Sequence, residues 1–108
     1  MDVRPRELVE YLTADGRSPF GEWLVKLQDA RARAVIRKRL NRVRLGNLGD
    51  CRGVGAGVME LRIDFGPGYR VYCGEDGTTI VVLLCGGDKS SQVADIQRAK
   101  FFWEDYGS

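Results

Sequence analysis

The stretch from residue 58 to residue 84 constrains the fold more than any other part of the chain. Three strand-like runs follow one another there, at 58–65, 69–73 and 78–84, separated by glycine-bearing turns. Asp76-Gly77 is a strong two-residue hairpin signal, because both residue types tolerate the positive φ that such a turn demands. Gly66-Pro67-Gly68 is weaker, since its proline removes a ladder donor. Thr79-Ile80-Val81-Val82-Leu83-Leu84 is apolar at both parities, as a central strand would be. A chain with this centre has to build an antiparallel sheet and cover it with helices.

The flanking segments supply those helices. An alternating run at 6–12 reads as a first strand, and Asp15-Gly16 as a turn. Ser18-Pro19 has the form of an N-cap followed by the first helical residue, opening a helix through Trp23, Leu24 and Leu27. A second helix starts near Asp29, with Ile36, Leu40 and Val43 as its buried stripe and Gly46 placed to end it. Residues 47–57 hold four glycines and no periodicity, and read as loop. Asp88 or Ser90 caps a last helix through Val93, Ile96, Ala99 and Trp103. The expected architecture is α+β in the order βααβββα. It is a four-stranded antiparallel sheet with a helical hairpin on one face, followed by a C-terminal helix. At 108 residues the chain is expected to form a single domain, 1–108, around one modest core.

Strand parity assigns the side chains to faces. With a two-residue turn, Cys73 faces Ile80, and Arg70 shares a face with Tyr72. Val71, Cys73, Ile80, Val82 and Leu84 then occupy the other face, beneath the helical hairpin. Glu60, Arg62 and Asp64 also share parity. If Arg62 joins Arg70 across the turn, a cationic face bearing a phenol is left open to a ligand.

Several classes of function are disfavoured. Three cysteines without CxxC spacing argue against a disulfide framework and a structural zinc site, and read as small buried or half-buried thiols. The chain has no histidine, so a standard catalytic triad is excluded and metal sites lose their commonest ligand. No apolar run approaches the roughly 20 residues of a membrane span. The amino terminus lacks the apolar core of a secretory signal, so the expected location is the cytoplasm. Gly86-Gly87-Asp88-Lys89-Ser90 lacks the upstream glycine of a P-loop.

The net charge of +2 conceals an asymmetry. Between Lys26 and Arg44 stand eight basic residues against one acid, Asp29. That excess is too large for pairing within a helix to absorb, and it attracts phosphate backbones or an acidic partner. Arg37, Lys38, Arg42 and Arg44 are its candidate RNA-binding side chains. A second concentration lies in the strand–turn–strand segment, where Arg62, Tyr69, Arg70 and Tyr72 fall within eleven residues. Arginine offers phosphate a fixed fork of donors, and an aromatic face can stack a base. Lys89 adds an ammonium after the last strand. RNA cleavage through the 2′-hydroxyl needs a base, charge stabilisation at phosphorus and an acid. Here Arg62, Arg70, Lys89 and Tyr72 would have to serve, without metal or cofactor. Such an enzyme is expected to be slow on free RNA and to depend on a host surface that orients the substrate.

The combination of Gly66-Pro67-Gly68-Tyr69-Arg70-Val71-Tyr72 with Gly86-Gly87-Asp88-Lys89-Ser90-Ser91-Gln92 resembles the HigB-like addiction-module killer proteins of the RelE/ParE superfamily. The likeness runs from about Ser18 to Trp103. It implies a RelE-like toxin of a type II toxin–antitoxin system that cuts mRNA on the ribosome and so inhibits translation. The partner it implies is a cognate antitoxin, often a helix-turn-helix protein. By position, Arg70 matches the family's catalytic arginine, Arg62 a phosphate-positioning partner and Lys89 the basic residue near the cut; Tyr72 is a further candidate for stacking or proton transfer. The chain ends in a helix where some relatives carry an aromatic or histidine pair. The same resemblance allows a ParE-like gyrase poison, or a relic that binds only its antitoxin.

Overall fold

The computed structural model describes residues 4–108. Strand β1 is Glu7–Glu10, and two helices follow, α1 (Pro19–Lys26) and α2 (Ala30–Arg44). Four strands come next: β2 (Cys51–Gly55), β3 (Val58–Ile63), β4 (Tyr69–Asp76) and β5 (Ile80–Asp88). A short 3-10 turn at Lys89–Ser91 leads into α3 (Gln92–Gly107). The α+β class is as expected. The caps form as the sequence indicates: Ser18 accepts from the Gly21 amide at 2.9 Å, and Asp29 from the Arg31 amide at 2.9 Å. Asp88 caps the 3-10 turn, and α3 itself starts after Ser91.

The sheet corrects the expectation in two ways. It has five strands in the order β1-β5-β4-β3-β2, and β1 lies parallel to β5, so the sheet is mixed rather than antiparallel. The extra strand, β2, comes from the segment expected to be loop. It pairs with β3 through a tight turn in which Gly55, Ala56 and Gly57 all take positive φ. Its glycines erased the alternation that marks a strand, while their conformational freedom makes the turn.

Register supplies a third correction. Asp76 pairs with Ile80, so the turn spans three residues instead of two, and Cys73 faces Leu83 rather than Ile80. A bulge follows: Cys73 pairs with Leu83 but Tyr72 with Cys85, leaving Leu84 without its own partner. A one-residue slip exchanges the faces of a strand. Val81 and Leu83 therefore join Val71, Cys73, Leu61 and Ile63 beneath Phe20, Leu24, Ile36, Leu40 and Val43 of the helical hairpin. Val82 and Leu84, expected on that face, lie on the opposite one with Tyr72, Val58, Cys85 and Tyr11. That second face is not open. Helix α3 covers it through Ala99, Ile96, Phe102 and Trp103, giving three layers. Cys73 and Cys85 are buried in separate clusters on the two faces, and all three cysteines are free thiols.

Candidate functional site

The ladder brings the expected cations into one row. Arg62 on β3 pairs directly with Arg70 on β4, Arg70 pairs with Gly87 on β5, and Tyr69 pairs with Asp88, the residue before Lys89. Helix α3 starts beside this row and runs away from it: Asp95 in its first turn sits against Gly87, and Trp103 lies over Gly74. The ends of β3 and β4 beyond Glu60 are thus left uncovered. There Asp50, Arg62, Ile63, Asp64, Gly66, Pro67, Gly68, Tyr69, Arg70 and Lys89 line a cleft of about 440 Å³. Arg62 and Lys89 are exposed, whereas Arg70 is buried apart from its edge on the cleft. Like charges placed directly across a ladder repel one another, so the Arg62–Arg70 pair needs an anion nearby.

Part of that compensation is built in. Glu60, two residues before Arg62, is 0% exposed and is the hub of the local polar network. The Tyr72 hydroxyl donates to its Oε2 at 3.0 Å, the Gln92 amide to Oε2 at 2.8 Å, and Arg52 Nε to Oε1 at 2.9 Å. Arg70 Nε stands 3.6 Å from Oε2 and Arg62 Nε 3.9 Å from Oε1. Burial alone would raise the Glu60 carboxyl, but the hydrogen bonds from Gln92, Arg52 and Tyr72 outweigh it and hold the group below the usual carboxylate range. Burial, reinforced by the bond to Glu60, pushes the Tyr72 phenol far above its ordinary value. Tyr72 does not line the cleft. It is fully buried under α3, where no base can stack on it. The aromatic ring that does reach the cleft is Tyr69, set edge-on against Trp23 at 6.1 Å between centroids.

The basic helix divides between two faces. Lys38 and Arg42 line a groove of about 470 Å³ with Val35, Arg39, Asp50, Arg62, Ile63 and Asp64. It shares Asp50, Arg62, Ile63 and Asp64 with the cleft, so the two are continuous. Arg37 and Arg44 line neither. Arg39 turns inward, donating to the Leu48 and Asp50 carbonyls at 2.5 and 3.0 Å, and so fixes the loop from which Asp50 lines the groove. Among the described residues no three His, Cys, Asp or Glu side chains gather as metal ligands would. No helix among the described residues is long and apolar enough to cross a membrane.

Three residues of this network are not among the site residues expected from the sequence. Arg52 lies in the segment expected to be loop, and Gln92 enters only as the last residue of the Gly86–Gln92 motif. Glu60 showed a signal that could have been used, an acid at the same strand parity as Arg62 and two residues before it.

No family model matches the chain. It is 49% identical over 88 residues to an uncharacterized protein of Haemophilus influenzae, an overlap covering 82% of this chain and 89% of that protein. Identity of that depth over nearly the whole length places both chains in one family: the protein belongs with its Haemophilus influenzae relative.

Proposed function

We propose that this protein is the toxin of a type II toxin–antitoxin pair, a ribosome-dependent endoribonuclease that cuts mRNA. The observation that carries the reading is the meeting of Arg62, Arg70 and Lys89, from three strands or strand ends, in one open cleft. The Lys38–Arg42 groove extends that cleft along a path a nucleic acid backbone can follow.

In the proposed reaction the 2′-hydroxyl of one nucleotide loses its proton to solvent water as its oxygen attacks the adjoining 3′-phosphorus, and the P–O5′ bond breaks. The products are a 2′,3′-cyclic phosphate and a 5′-hydroxyl. Arg62 and Arg70 donate to the non-bridging oxygens, where negative charge grows in the transition state. Lys89, exposed at the cleft rim, is the group that can supply a proton to the leaving oxygen. Tyr72 acts indirectly in this scheme, by holding Glu60. The chain contributes cations and geometry, and the ribosome contributes orientation of the message.

The test uses exposed residues, so that a loss of activity is not a loss of folding. Wild type, Lys89→Ala and Arg62→Ala are induced in cells, and new mRNA 5′ ends are mapped on translated and untranslated messages. The reading expects codon-phased cuts that require translation and fade in both variants. Growth arrest with intact mRNA would move the target to gyrase, and no arrest would leave an antitoxin-binding protein.

A further inference from the structure

Glu60 poses a chemical puzzle for an anion-binding cleft. It is fully buried, so it cannot touch a substrate, and its negative charge repels the phosphate that the cleft would receive. Burying a carboxylate is costly unless a cation beside it needs the charge. Arg70 does. Its side chain is 6% exposed, its Nε has no hydrogen-bond partner, and the charge nearest to it across the ladder is another guanidinium. Its NH1 is only 3.4 Å from the Gly68 carbonyl. Glu60 is the counter-charge lying on its Nε edge.

The carboxylate is itself fixed from three sides. Tyr72 comes from β4, Gln92 from the first turn of α3 and Arg52 from β2, and each donates to it. Three elements thus determine where its charge lies, and the two guanidiniums flank that charge at 3.6 and 3.9 Å. We propose that Glu60 is the positioning residue of the cleft, holding the Arg70 and Arg62 guanidiniums at the phosphate site from beneath. The inference rests on the reading of the cleft as an mRNA cleavage site.

A positioning role separates binding from turnover in a way that simple support of the fold does not. Glu60→Gln keeps the shape but removes the charge that orients Arg70. It also removes a negative charge close to the bound phosphate. Cleavage of ribosome-bound mRNA therefore falls by about 100-fold, the scale set by a small misplacement of catalytic groups. Affinity for a labelled single-stranded RNA oligonucleotide at low salt stays level or rises. Gln92→Ala, which loses one donor from a half-buried side chain, is the milder companion and falls in the same direction.

The experiment measures three things on wild type and both variants: cleavage of ribosome-bound mRNA, affinity for the free oligonucleotide, and the guanidinium Nε–H resonances by NMR. The expected result is an Arg70 Nε–H signal that is protected from exchange in wild type and broadened in Glu60→Gln, with cleavage lost and affinity kept. An Arg70 signal unchanged in Glu60→Gln would overturn the proposal, as would cleavage at the wild-type rate. Parallel loss of cleavage and affinity in a folded Gln92→Ala would also overturn it. If wild type cuts no mRNA, the nuclease reading falls by itself, and the Arg70 resonance still decides whether Glu60 orients that side chain.

Discussion

Residue by residue, the chemistry of this protein turns on one carboxyl group. The Glu60 carboxyl is held below its ordinary value in the fold, although burial acts in the opposite sense. A group whose folded value is depressed contributes stability that is fully present above its unfolded value, near 4.5, and is lost as pH falls through the folded value. Glu60→Gln should cost about 3 kcal/mol at neutral pH, because it leaves Arg70 without its counter-charge. The gap between wild type and variant should then close as the pH falls from 4.5 through the lower folded value. Asp15 and Glu22 are depressed as well but touch none of these groups and cancel in the difference, whereas Asp88 is held down in part by Arg70 and shifts with it. Denaturant melts at a series of pH values measure the gap, and a gap constant with pH would refute the linkage. Tyr72→Phe removes one donor from the same carboxylate and should cost about 1–2 kcal/mol at neutral pH by the same melts. The cations of the cleft could be read from the chain because arginine and lysine announce their chemistry by type. Glu60 could be placed beside Arg62 by parity, but its burial and its role could not, because the role of an acid depends on what buries it.

Among the elements, β5 shows why a short motif has the letters it has. Gly86 and Gly87 look like a flexible junction between strand and helix, yet both lie within the strand. Successive residues of a strand point to opposite faces, and each glycine here meets a different layer. A Cβ at Gly86 would stand 2.2 Å from the Trp23 ring of α1, and one at Gly87 would stand 1.8 Å from Asp95 Oδ2 of α3. The glycine pair lets both helical layers close onto the same point of the sheet. Gly86→Ala should therefore destabilise the protein by about 1–3 kcal/mol, since the indole it would strike is packed on the core. Gly53→Ala should be nearly neutral, because its Cβ would meet nothing within 4 Å. Thermal unfolding of the two variants measures the contrast. The strand that was missed, β2, and the turn that was one residue too short both reflect glycine. Its presence signals freedom of the backbone, and only the pairing partner decides how that freedom is used.

For the whole molecule, the separation of charge found along the chain becomes a separation in space only in part. Lys38 and Arg42 extend the cleft, while Arg37 and Arg44 point elsewhere on the same helix. Each phosphate contact removed should lower the slope of log affinity against log salt for single-stranded RNA by about 0.7. Lys38→Ala with Arg42→Ala should give roughly twice that change. Arg37→Ala with Arg44→Ala should give less, and equal changes for the two pairs would argue against the groove as the RNA path. Salt titrations of oligonucleotide binding provide the comparison. The helices, their caps and their buried stripes, and the α+β class follow from the chain itself, because a cap or an apolar stripe is set by residues three or four apart. The order of the strands, the bulge at Leu84 and the closure of α3 over Tyr72 do not. They depend on partners 10 to 94 positions away along the chain, such as Cys85 with Asp95 and Tyr11 with Asp105. No local pattern records such partners, so the residues of the cleft could be named in advance, but the buried carboxylate that holds them came into view only once the layers were packed.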